Sequence, residues 1–231
     1  MILEQVIFER AGGALALADG RATAELAIAG DVPTLLARLG VMKPLVVSGG
    51  GLARSGVAEE MARRGMPLVH FDGFAPNPTA EQVQAGLAMF RAEGCDGILS
   101  IGGGSAMDVA KGIKALGETD ENASLLERLT HPQPMAVPHV ALPTTAGTGS
   151  ESTHFATIYI GGKKYSVAHE ALLPEAAILD PEELSTLPDA ERAATFLDAL
   201  CHSIESYWSR RATAESRNYA AQAIGLLAAN A

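Results

Sequence analysis

The stretch GILSIGGGSAMDVAKGIKAL, residues 97–116, decides the fold. Its first five residues form an apolar run of strand length that leads into three glycines and Ser105, and residues 106–116 have the pattern of a helix. A strand that passes through glycines into a helix is typical of a parallel sheet with crossover helices. Such a turn also brings free N–H groups and the positive end of the helix dipole together, which favours phosphate, and Ser105 can cap the helix or donate to a phosphate oxygen. The alternative is an ordinary tight turn, since the spacing of Lys111 does not fit a Walker loop and the glycines do not fit Gly-x-Gly-x-x-Gly.

The segments on both sides repeat the alternation of strand and helix. Strands are predicted at 44–48, 67–71 and 97–101, a strand that runs into a loop at 139–145, and helices at 32–40, 57–65, 80–94 and 106–116. Thr79 can cap the third of these helices. Two further apolar runs, 155–160 and 163–168, are separated by Gly161-Gly162 and predict a β-hairpin. The sequence therefore predicts an α/β fold with a parallel sheet.

The two ends of the chain differ from this middle part. Near the N-terminus, 6–9 and 14–19 predict two short strands joined by residues 11–13. After Pro181 the pattern is helical, over 181–188, 189–208 and from 213 onward. We expect a boundary near 185–190 between an α/β part and a helical part.

A second loop, LPTTAGTGSE at 142–151, is rich in glycine and hydroxyl side chains. Open parallel sheets bind ligands at the carboxyl ends of their strands, so two such loops after two strands favour a shared ligand. The alternative for this loop taken alone is a surface turn.

Asp198 and His202 lie four residues apart in FLDALCHSIESYWS, residues 196–209. On a helix this spacing puts both side chains on one face, where Glu205 joins them. The pair is able to bind a metal ion, or to form an ordinary hydrogen-bonded couple in a core.

The composition is that of a globular protein. The chain has 231 residues, 48% hydrophobic and 19% charged, a net charge of −10 and a pI of about 5.0. This acidity argues against nucleic acid or an anionic membrane as a partner. Cys95 and Cys201 follow no metal or redox spacing, and no targeting segment or apolar run of membrane-spanning length is present, so we expect a cytoplasmic protein.

Three motifs together resemble the iron-containing (group III metal-dependent) alcohol dehydrogenases. They are GGGSAMDVAK, PTTAGTGSE and LDALCHSIESY, in this order and at this spacing, and the resemblance covers about 27–231, including PNPT at 76–79 and the stretch at 172–188. It implies a dinucleotide-binding α/β domain over 1–188, followed by the start of an all-helical domain over 189–231. It also implies a divalent metal, Fe²⁺ or Zn²⁺, in the cleft between them.

The resemblance gives Asp198 and His202 the role of metal ligands. The family binds its metal with one Asp and three His, and these two residues stand where the Asp and the first His stand. The other two family ligands fall further along than residue 231. The earlier histidines match none of the family's metal positions; they are His70, His131, His139, His154 and His169. We therefore expect the N-terminal portion of such an enzyme, with an incomplete metal site and little activity on its own.

The resemblance also suggests the cofactor, NADP(H) or NAD(H). Many members have an Asp after the second strand of the nucleotide domain, whereas VVSGGGLARSG here has Gly49 near that place, as in NADPH users. Arg54 is near enough to pair with a 2′-phosphate, and the alternative for it is a solvated charge. The implied cofactor-binding residues are Gly49, Gly50, Gly51, Gly103, Gly104, Ser105, Asp108, Thr144, Thr145, Thr148 and Lys164.

The implied reaction is reduction of a small aldehyde or oxidation of an alcohol. THFATIY followed by KKYSV resembles the branch that reduces phosphonoacetaldehyde, in which Lys163, Lys164 and His154 would offer positive charge to an anionic substrate; the alternative is a hairpin with ordinary exposed lysines. No side chain is identified as the proton donor. We expect a homo-oligomer. Two other functions stay open: a catalytically inactive nucleotide-binding module, and a dehydroquinate-synthase-like enzyme, which PTTAGTGSE disfavours.

Overall fold

The structure is a computed structural model that describes residues 14–16, 23–25, 32–185 and 187–230. The strands are β1 (Ala14–Ala16), β2 (Thr23–Glu25), β3 (Pro44–Ser48), β4 (Val69–Phe71), β5 (Gly97–Gly102), β6 (His139–Pro143), β7 (Phe155–Ile160), β8 (Lys163–Ala168) and β9 (Ala176–Ile178). The helices are α1 (Val32–Arg38), α2 (Val57–Arg63), α3 (Ala80–Ala92), α4 (Gly104–Leu116), α5 (Leu125–Thr130), α6 (Asp189–Trp208) and α7 (Ala214–Ala229). Short 3₁₀ turns cover Ser150–Ser152, Glu170–Leu172 and Pro181–Leu184.

Seven strands form one sheet in the order β1-β2-β9-β6-β5-β3-β4. All neighbours pair in parallel except β1 and β2, which are antiparallel. The predicted parallel sheet with crossover helices is confirmed. Because the central strands run in one direction, the loops that follow β3, β5 and β6 meet at the same edge.

The sheet is buried on both faces, which is typical of parallel strands. On β3, Leu45 and Val47 belong to the core that contains α3 and α4, whereas Val46 belongs to the core that contains α1 and α2. Both faces are mainly apolar along the central strands, and the buried polar side chains there are Ser48, Ser100 and His139.

The predicted hairpin is confirmed, and it lies outside the main sheet. β7 and β8 pair with one another in a two-stranded sheet, and the turn between them places Gly161 and Gly162 at positive φ. Its inner side chains, including Ile158 and Val167, are buried in the core that contains α3 and α4. The hairpin therefore covers α4 and extends the α/β body.

The last two helices pack against one another across a short connection and have little buried surface. None of the described side chains of α6 is buried, and in α7 only Ala220 is. Within the described part of the chain, no helix combines the length and the apolar character needed to cross a membrane.

Several local predictions need correction. The helix predicted from 106 begins at Gly104 with Gly103 as its N-cap, so Ser105 lies inside the first turn and is not the cap. The predicted strand over 67–71 is shortened to β4, and residues 181–184 form a 3₁₀ turn. Thr79 does cap α3, in a reciprocal capping box with Gln82. The predicted strand over 6–9 lies outside the described residues, and of 14–19 the structure describes β1.

Candidate functional site

Three loops converge at the carboxyl edge of the sheet. They follow β3, β5 and β6, and comprise residues 49–51, 102–105 and 144–149. The register aligns their starts, because Ser48 pairs with Ile101 and Gly102 pairs with Pro143. The two glycine- and threonine-rich loops predicted to share a ligand are thus brought together.

The loop after β3 packs closely on the end of β5. A Cβ added to Gly51 would lie 3.2 Å from the carbonyl oxygen of Ile101, so a side chain at this position would have to displace the backbone of β5. A Cβ on Gly50 would lie 3.0 Å from Nη1 of Arg54, which puts that guanidinium group over the turn. Gly49 is exposed beside them, so this turn presents backbone and one cation.

The other two loops face each other across the start of α4. The N–H group of Thr144 donates to the carbonyl oxygen of Gly102 at 3.0 Å. A Cβ on Gly103 would lie 3.1 Å from Oγ1 of Thr145, and a Cβ on Gly104 would lie 3.2 Å from Cγ2 of Thr148. The first turn of α4 has no side-chain cap, and the N–H group of Ala106 donates to the carbonyl oxygen of Gly103 at 3.1 Å. This leaves the N–H groups of Gly104 and Ser105 for an anion at the positive end of the helix dipole. Small residues, hydroxyl groups and free N–H donors are the features that a phosphate needs, and this part of the site fits a nucleotide.

The same threonine-rich loop contacts α6 at Gly147. A Cβ on Gly147 would lie 2.7 Å from the carbonyl oxygen of Thr195 and 3.2 Å from Oδ2 of Asp198. Nδ1 of His202 lies 3.4 Å from the carbonyl oxygen of Gly147. One loop therefore touches both the start of α4 and the predicted metal ligands.

Asp198 and His202 do share one face of α6. Oδ1 of Asp198 lies 3.7 Å from Nε2 of His202, and both side chains are about half exposed. Both side chains are accessible within the described part of the chain, and their role as metal ligands stays a prediction. A carboxylate oxygen and an imidazole nitrogen are donors that Fe²⁺ and Zn²⁺ accept. Among the described residues, no group of three or more His, Cys, Asp or Glu side chains is placed to hold a metal, so this pair fits only part of a site.

Asp108 lies against the segment 150–157. Burial raises the pKa of its carboxyl group to about 6, opposed by the charge of Lys111 and by hydrogen bonds from the N–H group of Thr157 and the hydroxyl group of Ser150. Lys164 is exposed on β8, and its charge acts on the same carboxyl group. Asp108 and Lys164 are thus near neighbours on the hairpin side of α4, and Ser105 is half-buried in the turn before them.

Lys111 is a residue that the sequence reasoning missed as part of the site. Its side chain is completely buried, and its Nζ atom donates to oxygen atoms of residues 150–155. A signal was present: on a helix, Lys111 stands three residues after Asp108, on the same face and between apolar neighbours. Such a lysine is unable to reach water, and so must be paired inside the protein.

Comparison with known proteins gives the family. A family model described as iron-containing alcohol dehydrogenase matches residues 24–181. The NAD-dependent methanol dehydrogenase of Bacillus methanolicus is 36% identical over 203 residues, which are 85% of this chain and 53% of that protein.

Solved structures give the same result. A 1,3-propanediol oxidoreductase superposes with a TM-score of 0.80 at 34% identity, over 87% of this chain and 55% of that one. A sulfoacetaldehyde reductase from Bifidobacterium kashiwanohense, solved in complex with NAD⁺, superposes with a TM-score of 0.78 at 30% identity, over 86% of this chain and 54% of that one. The chain spans about half the length of the relatives it matches.

Proposed function

This chain belongs to the iron-containing alcohol dehydrogenase family, and we propose that it carries the nucleotide site and two metal ligands of an NAD(P)H-linked, metal-dependent alcohol dehydrogenase or aldehyde reductase. The observation that carries the proposal is the position of residues 144–149. At Thr148 this loop meets the glycines at the start of α4, and at Gly147 it meets Asp198. A dinucleotide held by the first contact would thus extend toward a metal held beside the second.

In this proposal, the residues of this chain bind the nucleotide and orient it. Gly103 and Gly104 leave room for a phosphate close to the backbone, and the N–H groups of the first turn of α4 donate to it. Thr145 and Thr148 supply hydroxyl groups on the opposite side. When bound, a divalent ion would polarise the carbonyl oxygen of the aldehyde and the nicotinamide would supply hydride to the carbonyl carbon.

We infer that Asp198 and His202 are ligands of that divalent ion. Their spacing, their shared exposed face and their contact with the loop at Gly147 support this inference. Two protein ligands rarely hold such an ion against water, and catalytic sites usually have three or more. Elemental analysis of the purified 231-residue chain is therefore expected to find far less than one metal per chain, with negligible aldehyde reduction. One tightly held metal per chain together with turnover would contradict this expectation.

We propose that the chain binds NADPH in preference to NADH. The turn at 49–51 presents glycines and the guanidinium group of Arg54, which is the chemistry that a 2′-phosphate needs and that ribose hydroxyls do not. Fluorescence titration with NADPH and NADH tests the proposal, and NADPH is expected to bind at least about tenfold more tightly. Arg54→Met should bring the two affinities together. Equal affinities in the unmodified chain would mean that Arg54 and the turn at 49–51 do not recognise a 2′-phosphate. The proposal that a nucleotide binds would be unaffected.

We propose a small, anionic aldehyde of the phosphonoacetaldehyde type as the substrate. Lys163 and Lys164 are exposed on the hairpin, and His154 is half-buried at its base against the ring of Phe155. The sulfoacetaldehyde reductase among the similar structures is compatible with an anionic substrate. In the intact enzyme, KM for phosphonoacetaldehyde should lie well below KM for propanal, and Lys163→Gln should narrow that difference. Equal KM values for the two aldehydes would mean that Lys163 and Lys164 are ordinary exposed lysines that do not bind the substrate.

Three further expectations stay predictions. The domain boundary between 188 and 189 coincides with Pro188, which is the N-cap of α6. Cys95 and Cys201 are both free thiols, which agrees with the predicted cytoplasmic location. Homo-oligomerisation would be measured directly by sedimentation equilibrium of the intact enzyme.

A further inference from the structure

Lys111 is unusual because an ammonium group is fully buried in α4. Its Nζ atom donates to the carbonyl oxygens of Ser150 at 2.6 Å and Phe155 at 2.8 Å, and to the hydroxyl oxygens of Ser150 and Thr153 at 3.1 Å each. Removing an ammonium group from water costs several kcal/mol, which these oxygen atoms must offset. The result is a tight attachment of residues 150–155 to the middle of α4.

The attached segment is continuous with the loop at 144–149. The N–H group of Ser150 donates to Oγ1 of Thr148 at 3.2 Å. Thr148 in turn lies against Gly104, at the N-terminus of the helix that carries Lys111. A closed path thus runs from Lys111 through Ser150 and Thr148 back to the start of α4.

We propose that Lys111 is a positioning residue for the nucleotide site, because it fixes residues 150–155 and so holds Thr148 against Gly104 and Gly147 against α6. This inference rests on the proposed function, since it assumes that a nucleotide binds between the two loops. The hydrogen bonds of Lys111 go to residues 150–155, so it acts on Thr148 through Ser150. Groups of this kind keep the residues that touch a ligand in a single geometry.

The charges around Lys111 predict a pH dependence. Burial lowers its pKa to about 8, opposed by the carboxyl groups of Asp108 on α4 and Glu151 in the adjoining turn. On the other side, His139 of β6 feels the charge of Lys111, and burial holds the pKa of that imidazole well below its ordinary value, so it stays neutral. Above pH 8 the ammonium group loses a proton and with it one donor to residues 150–155. Affinity for NADPH should therefore fall as the pH rises through 8.

The decisive experiment compares three substitutions by NADPH titration and by urea unfolding. Lys111→Met removes every donor and should weaken NADPH binding at pH 7.5 by about tenfold or more. Lys111→Gln keeps an uncharged donor and should lose less affinity. The matched control is Lys114→Met on the same helix: Lys114 is 2% exposed and bonds Glu175 at the opposite end of the sheet. That control should lower the free energy of unfolding while leaving the NADPH affinity of the folded protein unchanged.

The pH profile separates positioning from mere stability. Between pH 7 and 9.5 the affinity of the unmodified chain should fall by about tenfold, whereas the profile of Lys111→Gln should be flat. This comparison also decides the matter if Lys111→Met does not fold. Unchanged NADPH affinity in Lys111→Met or Lys111→Gln, or the same pH profile in Lys111→Gln and the unmodified chain, would overturn the inference. Failure of the unmodified chain to bind NADPH would instead overturn the proposed function.

Discussion

His139 makes stability depend on pH. Its ring is fully buried, with Nε2 2.9 Å from Oγ of Ser100, and burial holds its pKa well below the ordinary value of 6.5. Below pH 6.5 the unfolded chain takes up a proton that the folded chain does not. The free energy of unfolding attributable to His139 therefore falls with decreasing pH, by up to about 1.4 kcal/mol per pH unit. Above pH 6.5 this contribution is constant.

Urea unfolding between pH 5 and 8 measures the effect against His139→Gln. The amide keeps a partner for Ser100 and does not titrate, so the difference between the two proteins should shrink as the pH falls from 6.5. The difference is the useful quantity, because burial also raises the pKa of Glu151 and Glu183, and their titration changes stability in both proteins alike. A difference that is independent of pH would mean that the pKa of His139 is the same in the folded and unfolded states.

Gly104 is the residue at which nucleotide binding is most sensitive to added volume. A valine there would direct its branched side chain toward Thr148, into the space between the two loops. Gly104→Val should abolish binding of both NADPH and NADH by fluorescence titration, with the α/β body still folded by circular dichroism. Gly225→Val is the control, since nothing lies within 4 Å of a Cβ on this exposed glycine. Tight binding by Gly104→Val would mean that the phosphate lies elsewhere.

At the scale of single residues, the sequence predicted the candidate site residues that belong to recognisable motifs. Gly104, Thr148 and Asp198 were predicted from their motifs, and the structure brings them around one loop, although their roles stay predictions. Lys111 was not predicted as a site residue, because a lysine in a sequence is first taken to be solvated. Its importance depends on burial beneath residues about 40 positions later, which a single sequence does not express.

Two glycines in helices give opposite predictions at the scale of elements. Gly112 lies where α4 meets the hairpin and α3, and a Cβ there would lie 2.7 Å from Cδ1 of Ile158 and 2.9 Å from Cγ1 of Val83. Gly112→Ala should therefore lower the free energy of unfolding by about 1–3 kcal/mol through overpacking. Gly225→Ala, in the open interior of α7, should raise helix stability by about 0.5–1 kcal/mol. Urea and thermal unfolding followed at the helix band measure both, and the same sign for both would refute the packing argument.

The hydrophobic periodicity of the sequence predicted most of the longer helices and strands, whereas the short elements β9 and α5 were not predicted. The helices α3 and α4 and the strands of the hairpin were predicted nearly to their observed ends. β9 was missed because three residues are too few for a pattern. It is a strand because it pairs on both sides, with Ala176 opposite Thr23 in β2 and Val140 in β6. α5 was missed for a related reason, since six residues span fewer than two turns.

At the scale of the molecule, α6 and α7 should open far more readily than the α/β body. α6 buries no described side chain, and Leu197 and Trp208 on it are 56% and 72% exposed. By contrast, every residue from 106 to 116 in α4 is buried except Asp108. Amide hydrogens of α6 and α7 should therefore exchange at least about a hundredfold faster than those of α4, since local opening reflects the buried contacts that hold each part. Equal protection by hydrogen-exchange mass spectrometry would mean that the chain unfolds as one cooperative unit.

The fold class of the whole chain was predictable from the sequence, but the order of the strands in the sheet was not. Alternating strands and helices predict a parallel sheet, because a crossover helix returns the chain to the same end of the sheet. The order of the strands was not predictable, since it depends on pairings between residues far apart in the chain. The change to a purely helical pattern after Pro181 predicted a boundary near 185–190, and the family resemblance added the roles of the two parts, which local patterns did not contain.

The position of β9 has a consequence for synthesis on the ribosome. Among the described strands β1 and β2 are made first, and in the described sheet β2 is joined to the rest by β9, which lies between it and β6. Chain growth at about 5–20 residues per second therefore separates β2 from its partner by roughly eight to thirty seconds. Until Ile178 has left the exit tunnel, β1 and β2 lack the described strand that joins them to β6. In a nascent chain halted before Ala176, β1 and β2 should thus be cleaved by protease, whereas β3 to β6 should already be protected from cleavage.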